Sequence, residues 1–182
     1  IVKDATSITP VDGVYTFSNL PVYEGTLVTN KYTVDTANAD QRFLIKNNLA
    51  DTTTLKVTVQ NSSSDSTTNT YTLASDLADV TSSSKVYYLE GAEDQQYEVV
   101  FGDGVLGAAL STGNIVTLSY IVTNAEESNG ASSFSLSGTI GGFSDVTITT
   151  ATNSANGAQP ETPDSIRFNA PKQYASQNRT VT

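Results

Sequence analysis

A chain of 182 residues with a formal charge of −10 and an isoelectric point near 4.2 is long enough to bury a real core. Its field repels nucleic acid and anionic lipid. The absence of histidine, cysteine, methionine and tryptophan removes Ser-His-Asp and Cys-His catalysis, disulfides and the usual His/Cys zinc sites from these residues.

Serine (21) and threonine (27) build most of the polar surface, while charged residues reach only 15%. β-Branched threonine fits a pleated surface, so the composition predicts a mainly β chain. In chain order, Val28, Tyr32 and Val34 mark a first strand and Phe43 to Ile45 a second. Thr54 to Gln60 alternates cleanly, with Leu55, Val57 and Val59 on one face and Lys56, Thr58 and Gln60 on the other, the period of a half-buried strand. Val86 to Leu89 and Tyr97 to Phe101 follow. Ile115 to Val122 then places Val116, Leu118, Tyr120 and Val122 on one side. Phe134 to Leu136 and Val146 to Thr149 predict two more strands. This density of short strands points to a sandwich-like fold or two small packed antiparallel sheets.

Two stretches interrupt the pattern. "NSSSDSTTNT", residues 61–70, has no apolar side chain and reads as a polar linker or the tip of a protruding hairpin. "TNSANGAQPETPDS", Thr152 to Ser165, changes to helix-start chemistry, with Thr162 as N-cap, Pro163 at the first helical position and Asp164 in the first turn. Pro171 limits that short helix to about two turns. The breaks suggest an N-terminal β subdomain (1–60), the polar connection (61–70), a central β domain (71–151) and a connector carrying the helix (152–182).

Each motif that could carry chemistry has a structural alternative. "FGDGVLG" ends an apolar run at Gly102-Asp103-Gly104. Two glycines that tolerate positive φ around an Asp that bonds its own backbone suit a tight reversal. A phosphate cradle would lead into a helix, and a calcium loop would supply several carboxylates; here another strand follows. Phe101, Gly102, Asp103, Gly104 and Gly107 are therefore read as a structural turn. The acid pairs Glu93-Asp94 and Glu126-Glu127 lie in loop-like sequence, where solvated carboxylates are the common case. No cofactor, metal site or catalytic residue is expected, and the chain reads as a non-enzyme. Arg167, Lys172 and Arg179 bring three of nine basic residues into the final segment. With Tyr174 they form a candidate interface; the alternative is ordinary helix-end charge.

The order "YEVVFGDGVLG", "STGNIVTLSYIVTNAEESNGASSF" and "FNAPKQYASQNRTVT" resembles the baseplate J-like proteins of contractile-tailed bacteriophages, in particular the wedge proteins of T-even-type phages. The likeness runs from "LPVYEGT" (Leu20 to Thr26) through Phe101 to Gly104, Gly113 to Tyr120, Asn129-Gly130 and Ala170-Pro171 to Asn178 to Thr182. The chain departs from the family pattern after Gly107, where it reads Ala108-Ala109-Leu110. The resemblance implies a virion structural protein of the tail baseplate, assembled in the bacterial host cytoplasm. It also implies association with itself, as a homodimer or higher, and with other wedge proteins, without nucleic acid or membrane. It implies further that these residues are an internal portion of a longer chain, followed by another domain. The alternative is a carbohydrate- or receptor-binding β-sandwich module of a surface protein, against which the missing tryptophan counts.

Overall fold

The computed structural model describes residues 1–2 and 7–176. Seven strands form in chain order: β1 (Thr26–Thr33), β2 (Phe43–Ile45), β3 (Ala50–Gln60), β4 (Thr68–Leu73), β5 (Val86–Gly91), β6 (Tyr97–Phe101) and β7 (Ile115–Val122). They make one sheet in the order β1-β7-β3-β4-β5-β6-β2. Every pairing is antiparallel except β4 with β5. The mainly β reading with a C-terminal helix holds, and no helix among the described residues is long and apolar enough to cross a membrane.

β4 is shared by two half-sheets, pairing with β3 through Tyr71 and with β5 through Thr72 and Leu73. The sheet curls until its two ends nearly meet. There the Tyr32 hydroxyl on β1 donates to the Leu44 carbonyl on β2 at 2.7 Å, so a side chain stands in for the missing ladder. A chain of edge-to-face aromatic contacts crosses the interior. Tyr32 meets Phe43 (5.6 Å between centroids), Phe43 meets Phe101 (5.3 Å) and Phe101 meets Tyr71 (5.4 Å). Each such pair adds about 0.5–1.5 kcal/mol beyond the area it buries. Around it pack Ile45, Val57, Val99, Val116, Leu118 and Tyr120, all essentially inaccessible. These are the inward positions of the strand alternation.

Residues 61–67 form the tip of the β3–β4 hairpin, closed by Asn61 N–H donating to the Thr67 carbonyl and by Asn61 Nδ2 donating to Asp65 Oδ2. Thr68 to Thr70 continue as strand, paired with Thr58 to Gln60. Strands from both sides of this polar stretch therefore share one sheet. β4 begins inside that stretch because its outward threonines and asparagine need no burial, and only Tyr71 reaches the core.

Two expected strands are absent. Phe134 to Leu136 and Val146 to Thr149 have strand-forming composition but no ladder. A strand exists only where its backbone is paired with another, and neither segment pairs with an end strand of the sheet or with the other.

Helix α1 (Pro163–Ser176) starts where expected: Thr162 Oγ1 accepts from Ser165 N–H at 3.3 Å, and its carbonyl accepts from Ile166 N–H. The expectation that Pro171 ends the helix is corrected, since the helix runs through it. Proline removes one rung by lacking an N–H. Here the carbonyl it would have served lies on a helix with no buried side chain among those described, where water can take it.

Candidate interaction surface

The strand β6 delivers the chain into the Gly102-Asp103-Gly104 corner. Asp103 Oδ1 accepts from the N–H groups of Val105 (2.8 Å) and Leu106 (2.9 Å). Those backbone bonds, Leu106 first, hold its carboxyl below the ordinary aspartate range. Gly104 and Gly107 take φ of 89° and 95°, and Gly104 N–H donates to the Gly107 carbonyl. A Cβ on Gly102 would overlap the Gly107 carbonyl, so the two backbones touch where any side chain would part them. Gly107 and Ala108 donate in turn to the carbonyls of Thr81 and Ser84, which ties the corner to the segment entering β5. One carboxylate oxygen is thus turned onto its own loop, and Phe101 belongs to the interior aromatic chain.

The corner presents apolar side chains. Val105 is 71% and Leu106 47% exposed. Leu77, Tyr88, Val100, Phe101, Gly102 and Leu106 border a shallow open hollow of about 340 Å³. The sequence signal for this patch is an apolar Val-Leu pair inside a turn, which the turn's glycines do not by themselves mark as surface.

The acid pairs stand apart and exposed. Glu93 and Asp94 sit in a short turn before β6, where Asp94 and Gln95 take φ of 56° and 58°. Glu126 and Glu127 sit in a second turn after β7. Arg42 lies beside the first pair but bonds Glu98 instead, with Nη2 at 2.6 Å and Nε at 2.8 Å from the same oxygen. Among the described residues no three acidic side chains converge to hold a metal ion.

On α1, Arg167 reaches Asp164 at 3.3 Å, and the Lys172 ammonium lies 3.4 Å from the centre of the Phe168 ring. Phe168 is 68% exposed, so this helix turns an aromatic ring and its cation to solvent. The Tyr174 side chain and Arg179 lie outside the described residues.

The largest apolar exposure lies on two long excursions from the sheet. Before β1, Val11, Val14, Tyr15 and Phe17 are exposed. Val11 and Val14 exchange both backbone hydrogen bonds across Asp12-Gly13. After β7, Phe134, Ile140, Phe143 and Ile148 are exposed, and Ile140 and Phe143 make the same two-bond closure across Gly141-Gly142. Both turns place two successive residues at positive φ, the geometry of a tight hairpin.

Compared with protein-family descriptions and with curated protein sequences, the chain matches none.

Proposed function

We propose that this chain is a structural component of a contractile phage tail baseplate, a wedge protein working by self-association and by contact with other baseplate proteins. It acts without catalysis. The observation that carries this reading is surface. The chain exposes 12990 Å², whereas a compact monomer of 19.2 kDa would expose about 8,400 Å². The excess comes with extended segments bearing large apolar side chains, and obligate assemblies bury upwards of about 2,000 Å² of such surface. The resemblance of the Phe101 to Gly104, Gly113 to Tyr120 and Asn129-Gly130 blocks to baseplate J-like proteins supplies the setting: a virion, at the tail tip, built in the host cytoplasm.

The test is co-assembly. The chain, mixed with purified wedge proteins of a contractile phage, is expected to co-sediment with them and to occupy the baseplate of intact tails. A chain that binds none of them sinks the reading. Turnover of an envelope polysaccharide, abolished by neutralising Glu93, Asp94, Glu126 or Glu127, would replace it with an enzyme.

A further inference from the structure

Residues 131–154 leave the sheet and come back as one arm. Its base is clasped: Ser154 N–H donates to the Ala131 carbonyl at 2.9 Å and Gly130 N–H to the Ser154 carbonyl at 2.8 Å. Asn129 and Gly157 exchange two further bonds, and the Ser154 hydroxyl donates to the Ser128 carbonyl. Its tip is closed by the Ile140–Phe143 pair. Base and tip are thus both set up as a hairpin, in nearly the same antiparallel register. The legs between them are not joined. No hydrogen bond ties residues 132–139 to any other described residue, and on the returning leg only Val146 N–H finds a partner, the carbonyl of Ser144.

These unjoined legs are the segments whose alternation reads as strand. Phe134 and Leu136 share one face of the first leg, and Val146 and Ile148 one face of the second. A strand-forming sequence with free backbone donors and acceptors is an open template for another chain.

Charge indicates which chain. In a molecule of net charge −10, residues 131–154 carry one charged side chain, Asp145. Two copies that meet along this arm therefore bring almost no like charge together, in a molecule whose overall field resists self-association. Antiparallel pairing of a leg with its own copy is self-complementary about a two-fold axis. The surface excess over a compact monomer also exceeds the roughly 1,200–2,000 Å² a stable interface needs.

We infer that the 131–154 arm is where two copies of this chain pair edge to edge, its legs becoming β-strands only in that dimer. The inference rests on the assembly reading in taking a protein as the arm's partner, but narrows it to one element and one occupant.

The experiment measures the mass of the whole chain by sedimentation equilibrium across a concentration series, with amide hydrogen exchange read at both ends of the series. A dimer is expected, with the amides of Phe134 to Leu136 and Val146 to Thr149 protected at high concentration and open at low. Ile148→Lys should weaken association by about ten-fold or more, and replacing residues 133–152 by Gly-Gly should abolish it while the sheet's melting temperature stays unchanged. A chain monomeric to about 1 mM, a dimer that survives loss of the arm, or leg amides that stay unprotected in the dimer each overturns it. Capture of a wedge protein by the monomer through the arm also overturns it, while leaving the baseplate reading standing. A dimer that joins no tail component does the reverse.

Discussion

The hydroxyl of Thr54 on β3 takes the place of a backbone carbonyl for Ile121 on β7, accepting its buried N–H at 3.0 Å. It does so where the β3–β7 ladder slips: Asp51 faces Ile121, but Lys56 faces Ser119, so β3 holds extra residues and the ladder has a gap. Thr54 is 4% exposed and passes its own proton to the Asp51 carbonyl at 2.7 Å. The bulge bends β3 where the sheet must curl, and the threonine satisfies the amide that the bend strands.

Thr54→Val should therefore destabilise the fold by about 1–3 kcal/mol, because it leaves a buried N–H without a partner in a side chain of nearly unchanged shape. Thr54→Ser keeps the oxygen and should lose much less. Urea unfolding of the three proteins checks this, and equal midpoints for the valine and serine variants would contradict it.

The seam of the sheet hangs on one phenol. Tyr32→Phe keeps the ring contact with Phe43 and removes only the hydrogen bond to Leu44. The expected cost is about 0.5–1.5 kcal/mol, with faster amide exchange confined to β1 and β2. Loosening spread evenly over all seven strands would mean that the ends of the sheet are held by something else.

The glycine corner makes a steric prediction. Alanine at Gly104 makes only an ordinary contact, 3.8 Å to the Ala109 Cβ, but takes a left-handed backbone, costing about 1–2 kcal/mol. Alanine at Gly102 meets the Gly107 backbone itself, which cannot swing aside as a side chain could. It should cost about 2–3 kcal/mol or more. Thermal melts of both variants give the order, and a milder effect at Gly102 would refute the close approach.

Three interior tyrosines set the alkaline limit. Burial raises the pKa of Tyr71 and Tyr87; burial first and the neighbouring Tyr120 second raise that of Tyr32. A folded-state pKa above the unfolded value means that the unfolded chain releases these protons first. Their contribution is complete below the ordinary tyrosine pKa of about 10 and is lost as pH rises through the raised folded values. Stability should fall steeply above about pH 10, with tyrosinate absorbance appearing together with loss of the β-sheet circular dichroism. Ionisation of all nine tyrosines ahead of unfolding would show that the buried phenols are wet.

β2, β6 and β7 occupy the residues their alternation marks out. Val57, Val59, Val99, Val116 and Leu118 point inward as the period of two requires. β4 was not legible, because a strand whose outward side is all hydroxyl and amide looks like a loop until Tyr71 is seen in the core. The apolar patch at Val105 and Leu106 was hidden for another reason: a turn motif explains its glycines and leaves nothing to mark its neighbours as surface.

By itself the sequence determined that short, half-buried strands exist and which side of each is apolar, since alternation is a property of neighbouring side chains. Tertiary structure alone decided that β4 runs parallel to β5 and that Tyr32 closes the sheet onto Leu44. It also left Phe134 to Leu136 and Val146 to Thr149 unpaired despite their strand-like pattern. Pairing joins backbone groups far apart in the chain. A segment with every local mark of a strand stays irregular until another backbone lies in register beside it.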